Sequence, residues 1–241
     1  MYIVIFTSFI ALLLTFLESK KVIRNGMKWG FVLVTFIGCI HYDYGNDYMS
    51  YLNIYKDVTQ YDFDLKGILS GIYFREPGWA LLCWLFKSIG GFFMMVAVLN
   101  IIQNYIVYRC IAREVDKAWW PVAFFVYLFS TSYYLMSFSM MRQEFVIIVF
   151  LGLWKYIKSR RWWIVLVVLY LCSFVHTSAL VLLPFAFWGF MPMGKSKFIG
   201  AVYLVFLLLL WLGQEFTREI FVMSLNSEEV VKYADAYGNR T

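Results

Sequence analysis

Charge is scarce in this chain. Lys, Arg, Asp and Glu make up 15% of its 241 residues, against 62% hydrophobic residues and a mean hydropathy of +0.70. That balance excludes an ordinary soluble domain, in which about a quarter of residues are charged. Histidine occurs only as His41 and His176, and cysteine only as Cys39, Cys83, Cys110 and Cys172, scattered in apolar context without a CxxC pair or Cys/His spacing. The thiols therefore read as core residues, neither a metal site nor a disulfide framework. No Walker loop, HExxH or GxSxG motif occurs, so nucleotide-driven chemistry is not expected, nor is a metal or other cofactor. No interval repeats and no stretch is low in complexity. The net charge of +6 would suit nucleic acid, but the basic residues sit in short connections between apolar runs. Orientation in a bilayer accounts for them there, and nucleic acid is discarded as a partner.

What the chain does have is apolar runs of membrane length. A spanning helix needs about 20 mostly apolar residues, and the pattern predicts an all-α, polytopic membrane bundle in one domain, 1–213, followed by a polar tail at 214–241. The predicted spans are 2–17, 29–41, 92–111, 119–140, 144–158, 162–176, 178–191 and 198–213. The first run precedes its positive charges, the reverse of a cleaved signal peptide, and so reads as a retained helix that starts outside. The connections after the first, third, fifth and seventh spans hold thirteen Lys/Arg against three acids, Glu18, Glu114 and Asp116, which marks them as cytoplasmic. Trp29, Trp119, Trp120, Trp154, Trp162 and Trp163 lie beside these basic clusters, as interfacial indoles do. The acid-rich 42–78 loop and the 214–241 tail then face outward. Parity holds only if 79–90, which is short, carries Lys87 and ends at Gly90-Gly91, is a re-entrant or interfacial helix. It also favours a break at His176-Thr177-Ser178 over a single helix from 162 to 183 ended before Pro184.

One interruption organises the rest. Between two uncharged runs lies Met141-Arg142-Gln143-Glu144. Charges held mid-bilayer would cost roughly 3 kcal/mol upward each, so they are expected where two spans meet at a wet surface. On the same predicted face lie His176, the loop with Asp43, Tyr44, Asp47 and Tyr48, and Arg75-Glu76-Pro77-Gly78. Arg142 suits a phosphate or pyrophosphate through bidentate hydrogen bonds; the plainer alternative is a snorkelling arginine or a pair with Glu144. His176 can exchange a proton near neutral pH, or merely cap a helix break. Asp43, Asp47 and Glu76 are candidates for a general base or for hydroxyl recognition, and Tyr42, Tyr44, Tyr48 and Tyr51 for stacking on sugar faces. The plainer alternatives are a solvated loop and a Glu76 that only faces the dipole of the helix starting at Pro77.

The motifs Asp43-Tyr44-Gly45-Asn46-Asp47-Tyr48-x-x-Tyr51, Arg75-Glu76-Pro77-Gly78-Trp79, Met141-Arg142-Gln143 and Phe174-x-His176-Thr177-Ser178, in that order, resemble the EpsG family of Wzy-like polysaccharide polymerases over about residues 30–195. The resemblance implies a multi-pass glycosyltransferase of the bacterial cytoplasmic membrane that needs no metal. It would join undecaprenyl-pyrophosphate-linked oligosaccharide repeats at the outer face, for exopolysaccharide, capsule or O-antigen. Its partners would be the lipid bilayer, the lipid-linked oligosaccharide and other polysaccharide-assembly membrane proteins. Catalytic roles would fall to Arg142, His176, Glu76 and Asp47, and substrate contacts to Arg75, Gln143, Asp43, Tyr44 and Tyr48. Arg142 with Gln143 would hold the pyrophosphate leaving group. Relatives usually continue through further spans, so 214–241 reads as the start of a missing C-terminal part or the end of a short member. The rival functions are a transporter or flippase of lipid-linked sugars, which would need a polar path through the bundle, a membrane acyltransferase with His176 as base, and a non-enzymatic assembly subunit.

Overall fold

The computed structural model describes residues 2–130 and 133–190, and among the described residues there are helices joined by turns and no strand. The predicted span 198–213 and the tail 214–241 lie outside the described residues. Nine α-helices follow in order: α1 (Tyr2–Ser19), α2 (Gly26–Ile40), α3 (Tyr48–Thr59), α4 (Leu65–Leu69), α5 (Pro77–Lys87), α6 (Gly91–Glu114), α7 (Trp120–Phe129), α8 (Met141–Lys158) and α9 (Trp162–Ser173). A 3₁₀ segment, Thr177–Phe190, closes the described chain. By length and composition α1 and α6 could cross a bilayer, while α2, α7, α9 and the 3₁₀ segment are apolar but shorter. The helix α8 is 18 residues long yet carries Arg142, Glu144, Lys155 and Lys158.

Two boundaries differ from the sequence reading. The predicted span 119–140 is not one helix: α7 stops at Phe129, and a short 3₁₀ turn at Met136–Phe138 precedes α8. The cause is local. The Tyr134 N–H donates to Tyr127 O at 3.1 Å, folding the chain back, while the Tyr134 hydroxyl reaches across to Val34 O at 2.8 Å. The second difference is that α8 begins at Met141, so Arg142, Gln143 and Glu144 lie inside its first turn and not in a loop before it. The break after α9 is present, with His176 between Ser173 and Thr177. Helix α5 has 11 residues, or about 16 Å, well short of a bilayer's roughly 30 Å core.

Helices α1 and α2 pack closely because Gly26 and Gly30, one turn apart, let their backbones meet. A Cβ on Gly30 would lie 2.8 Å from Ala11 O, the small-residue contact that membrane helices favour. One buried cluster joins α1, α2, α6 and α7, with Phe31 stacked on Phe124 at 4.4 Å. A second gathers Tyr48, Tyr51, Trp79, Cys83, Phe92 and Met141 from α3, α5, α6 and α8.

Ion pairs fix which helix ends lie together. Lys117 donates to Glu18 at 2.9 Å, Glu18 also accepts from the Met27 N–H at 2.9 Å, and Lys158 pairs with Glu114 at 2.8 Å. The ends of α1, α6 and α8 and the start of α2 therefore share one end of the bundle, the basic end. Together with the Glu114–Lys158 pair, the contact of Cys110 Sγ with Leu151 O at 3.5 Å shows that α6 and α8 run parallel. Arg142 sits sixteen residues before Lys158, about 24 Å away along α8, at the opposite end.

Candidate functional site

The site is assembled by one docking contact. Glu76 has extended backbone (φ −106°, ψ 97°) and Pro77 follows at the first position of α5, where its missing N–H costs nothing and its fixed φ starts the helix. The Gly78 N–H then donates to Phe174 O at 2.8 Å. The approach is so close that a Cβ on Gly78 would lie 2.8 Å from both the carbonyl carbon and oxygen of Phe174. So the first turn of α5 abuts the C-terminal end of α9, where the chain bends before Thr177.

That contact puts His176 beside Glu76. His176 Nδ1 lies 2.6 Å from Glu76 Oε1, which also accepts the Thr177 N–H at 3.3 Å. An ionised carboxylate only accepts, so Nδ1 donates, and in the neutral ring Nε2 is the nitrogen that carries the lone pair. The other oxygen, Oε2, accepts from Arg142 Nη1. Glu76 is 5% exposed, whereas the Arg142 and His176 side chains are 19% and 26% exposed. A buried carboxylate thus holds two cation-capable groups that reach the surface. Burying that charge is tolerable only because both oxygens are engaged.

Aromatic rings enclose the guanidinium. Its central carbon lies 5.3 Å from the Tyr51 ring, 5.0 Å from Phe74 and 6.0 Å from Trp79, within cation–π range. Glu76 takes one corner of the fork, while Nε is buried without an acceptor. The Nε–Nη2 edge has the geometry that takes two oxygens of a phosphate or carboxylate side by side.

The structure therefore brings Arg142, His176 and Glu76 into direct contact. Arg142 pairs with Glu76 and not with Glu144, and the Glu76 carboxylate, at the cap position of α5, engages Arg142 and His176 and makes no cap hydrogen bond to its own helix. The other sequence candidates make no hydrogen bond to this trio. Asp43, at φ 48°, and Asp47, at the start of α3, lie in a loop held against the 3₁₀ turn that precedes α8. Gly45 in that loop (φ 96°) comes so near the Phe138 carbonyl that a Cβ would lie 2.5 Å from its oxygen. Tyr44 packs edge-on against Phe138 at 5.1 Å. Tyr48 is fully buried against His41 and Phe92; burial above all, with Tyr42 and Asp43 adding, pushes its phenol above the usual range and keeps it protonated. Arg75 is exposed and Gln143 half-buried.

Sequence reasoning assigned no role to three contributors. Phe74 and Trp79 wall the arginine, and their signal was their place flanking Arg75-Glu76-Pro77-Gly78. The Thr177 N–H left no sequence signal. Glu144, already marked by the sequence as part of the charged interruption, is 1% exposed with an unpartnered Oε2. On α6 the buried Asn100, Gln103 and Asn104 form a polar face, with Tyr127 donating to Asn104 Oδ1 at 2.9 Å; their i, i+3, i+4 spacing was the available signal.

None of the curated proteins or solved structures compared with the chain matches it significantly. The model of one protein family, the EpsG family, matches residues 29–240. That stretch contains the loop bearing Asp43 and Asp47, the Glu76 turn, the head of α8 and the bend at His176, and nearly all of the chain: the protein belongs to the EpsG family.

Proposed function

We propose that the protein is a polysaccharide polymerase of the bacterial cytoplasmic membrane, multi-pass with its N-terminus outside, joining undecaprenyl-pyrophosphate-linked oligosaccharide repeats at the outer face. The observation that carries this reading is the contact of Glu76 with both Arg142 and His176 at the end of the bundle opposite the basic end. By the positive-inside rule the basic end faces the cytoplasm, and the trio then faces the side where lipid-linked repeats are polymerised.

The reaction needs a base for an acceptor hydroxyl and a stabiliser for a departing diphosphate. In the proposed step the hydroxyl oxygen attacks the anomeric carbon of the donor glycan and its proton passes to His176 Nε2. The bond from that carbon to the diphosphate oxygen breaks, and its electron pair leaves with the undecaprenyl diphosphate. Glu76 orients the imidazole through Nδ1 and stabilises the imidazolium that forms, as a carboxylate does in hydrolytic triads. The Nε–Nη2 edge of Arg142 meets the charge growing on the leaving group, worth most in a water-poor site. A positioned base contributes roughly 10²- to 10⁴-fold. Within this proposal Asp43, Asp47 and Tyr44 take sugar hydroxyls and faces, Arg75 and Gln143 flank the diphosphate, and Tyr48 orders the loop from beneath. The activated phosphate ester supplies the driving force, and no metal is called for.

The test is a producing strain carrying Arg142→Ala. Loss of polymer with build-up of single lipid-linked repeats is expected. Polymer of normal amount and length would overturn the assignment.

A further inference from the structure

A second cluster of aromatic rings runs from Tyr73, just before α5, to the far end of that helix at Lys87. Tyr61 and Tyr73 pair with ring centroids 5.3 Å apart, and Phe63 meets Trp84 edge-on at 5.4 Å. Lys87 ties the two pairs together: its Nζ sits 4.2 Å above the Trp84 ring and donates to Tyr61 O at 3.3 Å. Asp64 fixes the other side, accepting the Tyr73 hydroxyl at 3.4 Å and the Lys66 N–H at 3.0 Å. The rings stay open to their surroundings, Tyr61 being 50% and Phe63 56% exposed, with exposed Asp62 and Asp64 beside them.

This surface is continuous with the site. Phe74 stands over the Arg142 guanidinium at 5.0 Å, and the next residue back along the chain, Tyr73, belongs to the outer pair. From Glu76 to Lys87 is eleven residues, about 16 Å along α5, beyond the reach of a single sugar. Flat rings with carboxylates at their edges match the chemistry of a glycan, whose C–H faces stack on aromatics and whose hydroxyls donate to carboxylates. The neighbouring charges, Lys56, Lys66 and Lys87 against Asp57, Asp62 and Asp64, cancel, which suits a neutral hydroxyl-rich polymer better than an anionic lipid surface.

We infer that Tyr61, Phe63, Tyr73 and Trp84 form a secondary glycan-binding platform that holds the saccharide chain several sugars away from the reacting bond. The inference rests on the polymerase reading and adds the function of the platform, retention of the chain between additions. Holding the chain raises its effective concentration at the site, so length rather than first coupling depends on it.

The test uses purified full-length protein, a synthetic lipid-linked repeat and two readouts: the rate of the first coupling and the length of the products. The double variant Tyr61→Ala/Phe63→Ala is expected to keep the first coupling within about twofold and shorten the modal product at least threefold. Tyr61→Phe, which keeps the ring, is expected to restore wild-type length beside native Phe63. Products of unchanged length from the double variant would overturn the inference, as would equal loss of both readouts in a variant whose thermal melting matches wild type. Should wild-type protein couple no repeats, the polymerase reading fails and the platform is tested alone, by tryptophan fluorescence titration with the carrier-free repeat oligosaccharide. Binding weakened at least threefold in the double variant then supports it, and equal binding overturns it.

Discussion

Both ends of this bundle carry ion pairs, and they differ in what the pairs leave open. At the basic end Glu18 takes the Met27 N–H and Lys117, and Glu114 takes Arg113 and Lys158. Each charge is spent on a neighbouring helix end or on water, and Lys117 and Lys158 are 49% and 60% exposed. At the other end one buried carboxylate holds an arginine and a histidine that each keep an unused face. The first arrangement ties helices together. The second leaves the buried Arg142 Nε without an acceptor and the His176 ring hydrogen-bonded through one nitrogen.

The comparison breaks outright if the two ends do not lie on opposite sides of the membrane. Cysteines placed at exposed Asn46 and exposed Lys20 are expected to differ in an all-or-none way toward a membrane-impermeant maleimide in intact cells, Asn46→Cys reacting and Lys20→Cys reacting only after permeabilisation. The native thiols, buried or half-buried, serve as the background. Labelling of both in intact cells, or the reverse pattern, would refute the sidedness.

Next in size is Arg142→Lys. Lysine keeps the charge but not the fork, and cannot serve Glu76 and two phosphate oxygens together. The expected loss is about 10²-fold in elongation, the scale of removing one aimed donor, while thermal melting changes little. Elongation within about twofold of wild type would mean that only charge matters there.

At the basic end the effects should be on stability alone. Glu18→Gln strips the charge from a 9% exposed side chain that serves two partners and is expected to cost about 1–3 kcal/mol, read by thermal melting in detergent, with elongation by the folded protein unchanged. Smallest of all, Glu114→Gln breaks partly exposed pairs and is expected to cost under about 1 kcal/mol. A large loss of elongation from either variant would show that the two ends are not functionally separate.

How much of this was legible in the sequence depended on the kind of signal. Apolar runs and basic clusters located most helices, because burial and charge cost are properties of composition. The shortness of 79–90 was visible in the sequence, and α5 has 11 residues. The end of α7 could not: the uncharged run continues, and the turn is made by hydrogen bonds between Tyr134 and both Tyr127 and Val34, partners that hydropathy does not distinguish. In the same way Arg142 could be singled out as a charge too costly to leave in lipid, and His176 and Glu76 as polar groups on the same predicted face, but their pairing could not. It depends on Gly78 meeting the Phe174 carbonyl, a contact between residues 96 apart. The rank of the acids shifted too. Glu76 and Asp47 both read as catalytic carboxylates and Asp43 as a substrate contact, and only packing buried Glu76 with both oxygens engaged.

The measurement closest to the chemistry is turnover of a synthetic undecaprenyl-diphosphate-linked repeat by purified protein, wild type beside Glu76→Gln. Glutamine keeps the shape but removes the charge that pairs with Arg142 and steadies the His176 imidazolium. Wild type is expected to build a ladder of products, and the Gln variant to fall on the order of 10³-fold or more. Equal ladders from the two proteins would contradict a catalytic role for the Glu76–Arg142–His176 cluster.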